Sequence, residues 1–308
     1  MTDLASSSSS KATRHFFAVA LVAVAALLLL DASPHASTVK RTARDAVHGL
    51  LLSRSSSSVA TATWNADPAY DDIESDECTI DRLAYDAMTA DAFFRFYEEQ
   101  RPVILHYPVD VTAPRNFEFQ QAVQKQRLLE HHGRDEIILS SGNRNSYAKR
   151  HTTLADYVGN YLRPQPEEVR GNASWYHFGD PHHQYWREVN GLYELPKKFL
   201  HPHQSPALSF GVAGSGTGVP FHTHGAVFAE VVYGRKRWWL SAPQREPRYD
   251  PDANTLHWLR HVRPTYTSAE SANLLDCVCD RGDVLYIPSH WHHATLNIGE
   301  AVFMSVFL

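Results

Sequence analysis

From Pro164 onward the chain is written as short runs of strand-forming residues separated by turn residues, and that texture limits the folds open to it. Candidate strands are Trp175–Phe178, Ala207–Val212, Val219–His224, Ala229–Tyr233, Arg237–Ser241, Leu274–Cys279, Asp283–Ile287 and Ala301–Leu308. Many short strands at regular spacing build a sandwich or a closed barrel, because each strand must bury one face against another sheet. Ahead of them the pattern is more helical. Thr89 is placed to cap a helix running to Glu99, with Phe93, Phe94, Phe96 and Tyr97 packing inward. Asn116–His131 reads as a second helix stopped near Gly133, and Thr152 or Thr153 opens a third. Pro102–Leu105 and Ile137–Leu139 read as strands. The expected fold is mostly β, a barrel with helices laid over its outside.

The N-terminal part has a different texture. Residues 1–15 carry the basic Lys11 and Arg14, and Phe16–Leu30 is an unbroken apolar run. Fifteen helical residues reach about 22 Å, short of a ~30 Å hydrocarbon core. A basic start followed by a short apolar run is the layout of a secretory signal. Two outcomes stay open, a cleaved signal peptide and an uncleaved signal-anchor giving one N-terminal membrane anchor. Both deliver the remainder to the secretory lumen. Residues 31–70 are expected to be a disordered serine-rich linker, since such a stretch buries too little apolar surface to offset its ordering entropy. The folded domain is then expected over 71–308. In a luminal chain, Asn172-Ala173-Ser174 is a usable glycosylation sequon.

A net charge of −5 with histidine neutral gives no basic footprint, so no nucleic-acid partner is expected. Histidine is abundant, with 19 copies, which directs attention to metal chemistry. His222 and His224 lie in VPFHTHG. If that stretch is a strand, both imidazoles project from one face, a spacing suited to chelating one ion. Simple alternation would also place Glu230 on the face shared with His224. A second cluster, IPSHWHHATLN, follows the strand signal RGDVLYIP, and Pro288 ends that strand. The glycine-rich run Gly211–Gly218 lacks the Gly-Lys-Ser/Thr of a phosphate loop and reads as a bend at a barrel mouth. His201 and His203 read as loop residues.

The combination is more specific than its parts: an HTH, a hairpin GRKRWWLSAP, then GDVLYIPSHWHHATLN and a strand to the C-terminus. Over roughly residues 77–308 it resembles the JmjC domain of the cupin superfamily, and within it a secretory-pathway branch. The resemblance implies a double-stranded β-helix (jelly roll) with flanking N-terminal helices. It implies Fe(II) and 2-oxoglutarate as cofactors, or another divalent metal in place of iron. It also implies a protein substrate or protein partner in the endoplasmic reticulum lumen, or at its membrane on the luminal side. Carried over by position, His222 is the first metal ligand and His293 the last, with His292 competing because a one-residue slip reverses the face. Lys236, two positions after Gly234, takes the far carboxylate of 2-oxoglutarate. The resemblance also pairs Cys78 with Cys277, while Cys279, of the same side-chain parity as Cys277, is the rival partner.

Three departures stand out. His224 replaces the family's carboxylate ligand, Val219 stands where a hydroxyl residue is usual, and Val227 where an asparagine is. Imidazole in place of carboxylate raises the charge of the site by one, yet three imidazoles still hold a divalent ion. Two functions follow: an Fe(II)/2-oxoglutarate-dependent hydroxylase of a luminal protein, and a catalytically degenerate module acting through protein–protein interaction. A zinc hydrolase on three histidines ranks last, for want of a visible general base. No catalytic residue is assigned.

Overall fold

A computed structural model describes residues 63–108, 115–166, 169–179 and 184–308 of the chain. The basic segment, the apolar run 16–30 and the expected linker up to residue 62 lie outside the described residues. Among those described, no helix is long and apolar enough to cross a membrane.

Packed chain begins before Asp71, earlier than expected. Trp64 Nε1 donates to Val123 O at 2.9 Å, Asn65 and Glu300 exchange backbone and side-chain bonds, and Tyr70 OH donates to Gln165 O at 2.6 Å. Isolated aromatic anchors without periodicity leave no pattern to read in the sequence.

The strands are β1 (Asp81–Ala84), β2 (Val103–His106), β3 (Glu136–Ser141), β4 (Lys149–Thr153), β5 (Trp175–Phe178), β6 (Ala207–Ala213), β7 (Val227–Ser241), β8 (Leu275–Cys279), β9 (Asp283–Ile287) and β10 (His292–Phe307). They form one hydrogen-bonded sheet in the order β1-β2-β9-β7-β10-β6-β5-β3-β4, with β8 on β7. β7 and β10 pair along their whole lengths. The first half of β7 also pairs with β9 and its second half with β8, so this long strand passes from one wall to the next. The passage falls at Gly234, with φ +70°, and at Gly299 on β10, with φ +71°. Gly234 therefore bends a continuous strand and does not close the expected hairpin. Positive φ is cheap only for glycine.

Val219–His224 is not the regular strand expected. Residues 216–222 run beside the first half of β10, with Thr295 N donating to Val219 O and His222 exchanging both backbone bonds with His293. Pro220 has no N–H to continue a ladder. Gly218 is held there by contact, because a Cβ would meet Thr295 O at 1.8 Å.

Alternation along β7 and β10 divides the molecule into three layers. Val227, Ala229, Val231, Trp238 and Leu240 pack inside with Leu285 and Ile287. Phe228 and Val232 face outward under α1 (Ala90–Phe96), α2 (Phe117–Ala122) and α3 (Lys125–His132), where Phe93 and Phe119 are buried. Trp239 and Leu296 face outward on the other side, covered by Leu256, Trp258 and Leu259. Thr89 caps α1 by accepting from Ala92 N, and the helix ends at Phe96, short of Glu99. The expected helix 116–131 is two helices. The chain extends at Gln124, with ψ 138°, and turns Lys125 inward to Glu300 at 2.8 Å.

Cys78 and Cys277 are joined by a disulfide, Cα–Cα 4.2 Å, and Cys279 is buried as a free thiol. Next to the bridge, Asp276 accepts from Arg237 Nε and Nη2 at 2.9 and 2.8 Å, from Trp239 Nε1 at 2.8 Å and from Arg263 Nη2 at 2.8 Å. Asp276 and Arg237 are both buried. Removing one partner leaves the other charge unmatched in a dry environment. Asp276→Asn is expected to lower unfolding free energy by about 3–5 kcal/mol, read by denaturant melts. A loss within about 0.5 kcal/mol would show the network to be dispensable.

Candidate metal centre

Three strand-end elements converge at one end of the barrel interior. Pro288 ends β9, His290 turns the chain with φ +64°, and His290 N donates to His224 O at 2.9 Å. That bond fixes the segment carrying His224 against the start of β10. The backbone bridge between His222 and His293 fixes the other pair. The ring centroids of His222 and His293 are 4.1 Å apart, and those of His224 and His293 4.5 Å. One ligand atom from each histidine falls within a cluster 4.8 Å across.

The tautomers follow from the backbone. His222 Nδ1 bonds Pro220 O at 2.9 Å, His224 Nδ1 bonds Gly225 O at 2.7 Å, and His293 Nδ1 bonds Trp291 O at 2.8 Å. A carbonyl oxygen only accepts, so each Nδ1 carries the proton and each Nε2 presents a lone pair. This is how metal-binding imidazoles are commonly oriented. His224 Nε2 and His293 Nε2 lie 2.9 Å apart. Two lone pairs at that distance repel unless a proton or a cation stands between them. Burial disfavours the proton: it pushes His222 down to about 4, lowers His224, and holds His293 well below the usual range, with the neighbouring His222 adding to the effect. A divalent ion about 2.0–2.1 Å from each nitrogen would set them roughly 2.9–3.4 Å apart. The donor set fits such an ion.

His292, the competing candidate, points away and reaches Pro243 O at 3.2 Å through Nε2. Glu230 does not join the cluster, contrary to simple alternation. The chain breaks its strand geometry at Gly225, so parity does not carry from His224 into β7. Glu230 faces the helices, where Asn116 Nδ2, Arg115 and Tyr193 OH all donate to its carboxylate.

The histidines open into a cavity of about 350 Å³. Its inner wall is a two-strand ladder, with Thr295 opposite Trp238 and Asn297 opposite Lys236. Lys236 is buried, with Nζ 3.5 Å from the Phe303 ring centroid, and burial pushes its ammonium down to about 7. Val219 and Val227 line the same cavity and bring neither hydroxyl nor amide. Sequence reasoning missed Trp238 and Asn297, which line it too. Trp238 Nε1 and Asn297 Oδ1 are buried without a hydrogen-bond partner among the described residues. Counting in twos from His293 and from Lys236 would have found both. Asn172 is exposed in a short turn, whereas Ser174 of its sequon is buried.

Residues 192–308 match the JmjC domain family. Over 236 residues the chain is 39% identical to JmjC domain-containing protein 8 of Rattus norvegicus, covering 77% of this chain and 84% of that protein. The Homo sapiens protein of that name is 40% identical over 235 residues, covering 76% and 85%. Among solved structures the chain is similar to YcfD, a ribosomal oxygenase from Escherichia coli, in complex with cobalt and 2-oxoglutarate. The TM-score is 0.44 and the identity 18%, over 72% of this chain and 52% of that one, about half its length.

If the cluster holds an ion, His222→Ala and His293→Ala should each weaken it by more than the roughly 10–100-fold that losing a metal ligand's supporting partner costs. Competition with a chromogenic chelator measures this. Unchanged affinity in either variant would remove that residue from the ligand set.

Proposed function

The chain belongs to the JmjC-domain family, and on that premise we propose that it is a metal-dependent, 2-oxoglutarate-binding oxygenase module acting on a protein of the secretory lumen. The observation that supports this most is a cavity with cation-binding imidazoles at one end and an anion-binding ammonium toward the other. Three Nε2 lone pairs converge at one end, and Lys236 is buried on the same wall toward the other. A dicarboxylate with a keto group beside one carboxylate suits both ends.

Fe(II) and the keto acid, with dioxygen as the oxidant, would supply the oxidising chemistry. The chain's own residues do the holding. His222, His224 and His293 would hold the ion, kept in orientation by their Nδ1 bonds to Pro220, Gly225 and Trp291. Lys236 would bind the far carboxylate. Trp238 Nε1 is a buried donor without a hydrogen-bond partner in the wall of the same cavity and would stand in for the hydroxyl that Val219 lacks. Phe303, Val219 and Val227 bring apolar surface to the cavity wall, which strengthens the charge interactions inside it.

The location is read from the basic and apolar N-terminal run, from the Cys78–Cys277 bridge, which persists in oxidising compartments, and from the exposed Asn172. We place the domain in the endoplasmic reticulum, luminal or held at the membrane by one anchor. A second reading, a catalytically degenerate module that binds a partner protein, is favoured by His224 in place of a carboxylate and by Val219 and Val227 in the wall. Anaerobic titration of the purified protein with Fe(II) and 2-oxoglutarate separates the two. A saturable visible charge-transfer band, lost in His222→Ala, supports the oxygenase reading. A folded protein without a band supports the second.

Lys236 gives a pH signature. Its ammonium is depressed to about 7 in the free cavity, and a bound carboxylate would raise it. Affinity for 2-oxoglutarate should be full below about pH 7 and fall as pH rises above it, with a proton taken up on binding there. Calorimetry in buffers of different ionisation enthalpy measures that uptake. Lys236→Met should abolish it and weaken binding about 10–100-fold, the worth of one charge-assisted bond. Binding that is insensitive to pH and to this substitution would place the carboxylate elsewhere.

A further inference from the structure

On the inner wall of the cavity, Lys236 stands opposite Asn297 on β10 and opposite Cys279 on β8. Its Nζ lies over the Phe303 ring, and burial pushes the ammonium down to about 7. Arg144, Lys149 and Lys236 line the cavity, and no aspartate or glutamate does so among the described residues. Cys279 is a buried free thiol, and burial holds it well above the usual range, so it stays neutral and offers only a weak acceptor. Of the two residues flanking Lys236, Asn297 therefore brings the stronger acceptor, its side-chain carbonyl.

Thr217 decides which way that amide faces. Thr217 O accepts from Asn297 N and from Asn297 Nδ2, both at 2.8 Å, and Thr217 Oγ1 accepts from Nδ2 at 3.1 Å. A carbonyl oxygen only accepts, so turning the amide over would set oxygen against oxygen. Thr217 is itself fixed, because its Oγ1 donates to Gly214 O and the neighbouring Gly216 N donates to Asn297 O at 2.8 Å. Asn297 Oδ1 is thereby left buried in the cavity wall, without a hydrogen-bond partner among the described residues. An unpaired buried acceptor is costly. A carboxylate brings only acceptors, so 2-oxoglutarate does not satisfy it directly. An ammonium does, and a lysine carries three N–H donors.

We propose that Lys236 has two stations and that Asn297 is the positioning residue for the second. One is the face of Phe303, where the ammonium lies in this structure. The other is between an entering carboxylate and Asn297 Oδ1. The inference rests on Lys236 taking the far carboxylate of the keto acid, and it adds how the ammonium is aimed at it. Directly opposed side chains on a ladder have Cβ atoms about 4.5–5.5 Å apart, within the reach of a lysine. At the second station two charge-assisted hydrogen bonds replace one contact with a ring, and the orphaned carbonyl of Asn297 gains its donor.

The test uses the full chain loaded with manganese(II), and calorimetry with 2-oxoglutarate and with 2-oxopentanoate, which lacks the far carboxylate. The native chain should bind 2-oxoglutarate at least about 10-fold more tightly, and Lys236→Met should remove that preference. Asn297→Ala should weaken 2-oxoglutarate about 10-fold and leave 2-oxopentanoate and metal content unchanged. Combined with Lys236→Met it should add nothing, because it acts through the ammonium. Asn297→Ser, whose hydroxyl still donates to Thr217 O, should behave as Asn297→Ala does, and it serves where the alanine variant fails to fold. An equal loss of both ligands would show a structural role only and overturns the proposal. So does an unchanged preference, or a loss that persists in the Lys236→Met chain. Those outcomes leave the oxygenase reading standing, since the native preference and its dependence on Lys236 do not involve Asn297. Equal binding of the two keto acids by the native chain, or a preference that survives Lys236→Met, removes the far-carboxylate site from Lys236 and takes this inference with it.

Discussion

The antiparallel ladder between Val227–Ser241 and His292–Phe307 determines where every residue of the site stands. Its alternation puts His293, Thr295 and Asn297 on the same inner face as Trp238 and Lys236, while Phe228, Glu230 and Trp239 go to the two covered outer faces. The glycine pair Gly234 and Gly299 lets both strands bend together, so one continuous ladder serves both walls. The segment 216–222 then has one place to lie, beside the first half of β10. The close approach of Gly218 to Thr295 O and the backbone bridge of His222 to His293 hold it there.

The histidine end of the cavity is organised by backbone carbonyls. Pro220 O, Gly225 O and Trp291 O each fix one proton on Nδ1, and burial keeps the rings neutral. The site is thereby prepared for a cation at the cost of His224 Nε2 and His293 Nε2 facing each other at 2.9 Å. A carboxylate in place of His224 would cancel one charge there. Without it, negative charge must arrive with the ligands, and Lys236 lines the same cavity.

Much of this was legible in the sequence where the signal is local. Thr89 as a cap, β5, β6 and β9, and the pairing of an HxH with a histidine five residues after Pro288 all follow from spacing and from the family resemblance. The structure favours His293 over His292 because β10 begins at His292 and alternation turns the next side chain inward. What failed was whatever depended on the continuity of strands. Gly234 looked like the end of a hairpin because a turn and a bend share the same positive φ. Simple parity from His224 puts Glu230 on the wrong face because the count crosses the break at Gly225. Arg144 and Lys149 could not be found at all, since they meet His222 only through the fold, across more than seventy residues of chain.

The account stands on three imidazoles sharing one ion, His224 among them. X-ray absorption at the metal edge of the zinc-loaded protein measures that directly. The account predicts three imidazole nitrogens about 2.0–2.1 Å from the ion, with the outer-shell ring scattering of three rings, falling to two in His224→Ala. A shell of oxygen alone, or a spectrum that His224→Ala leaves unchanged, would contradict it.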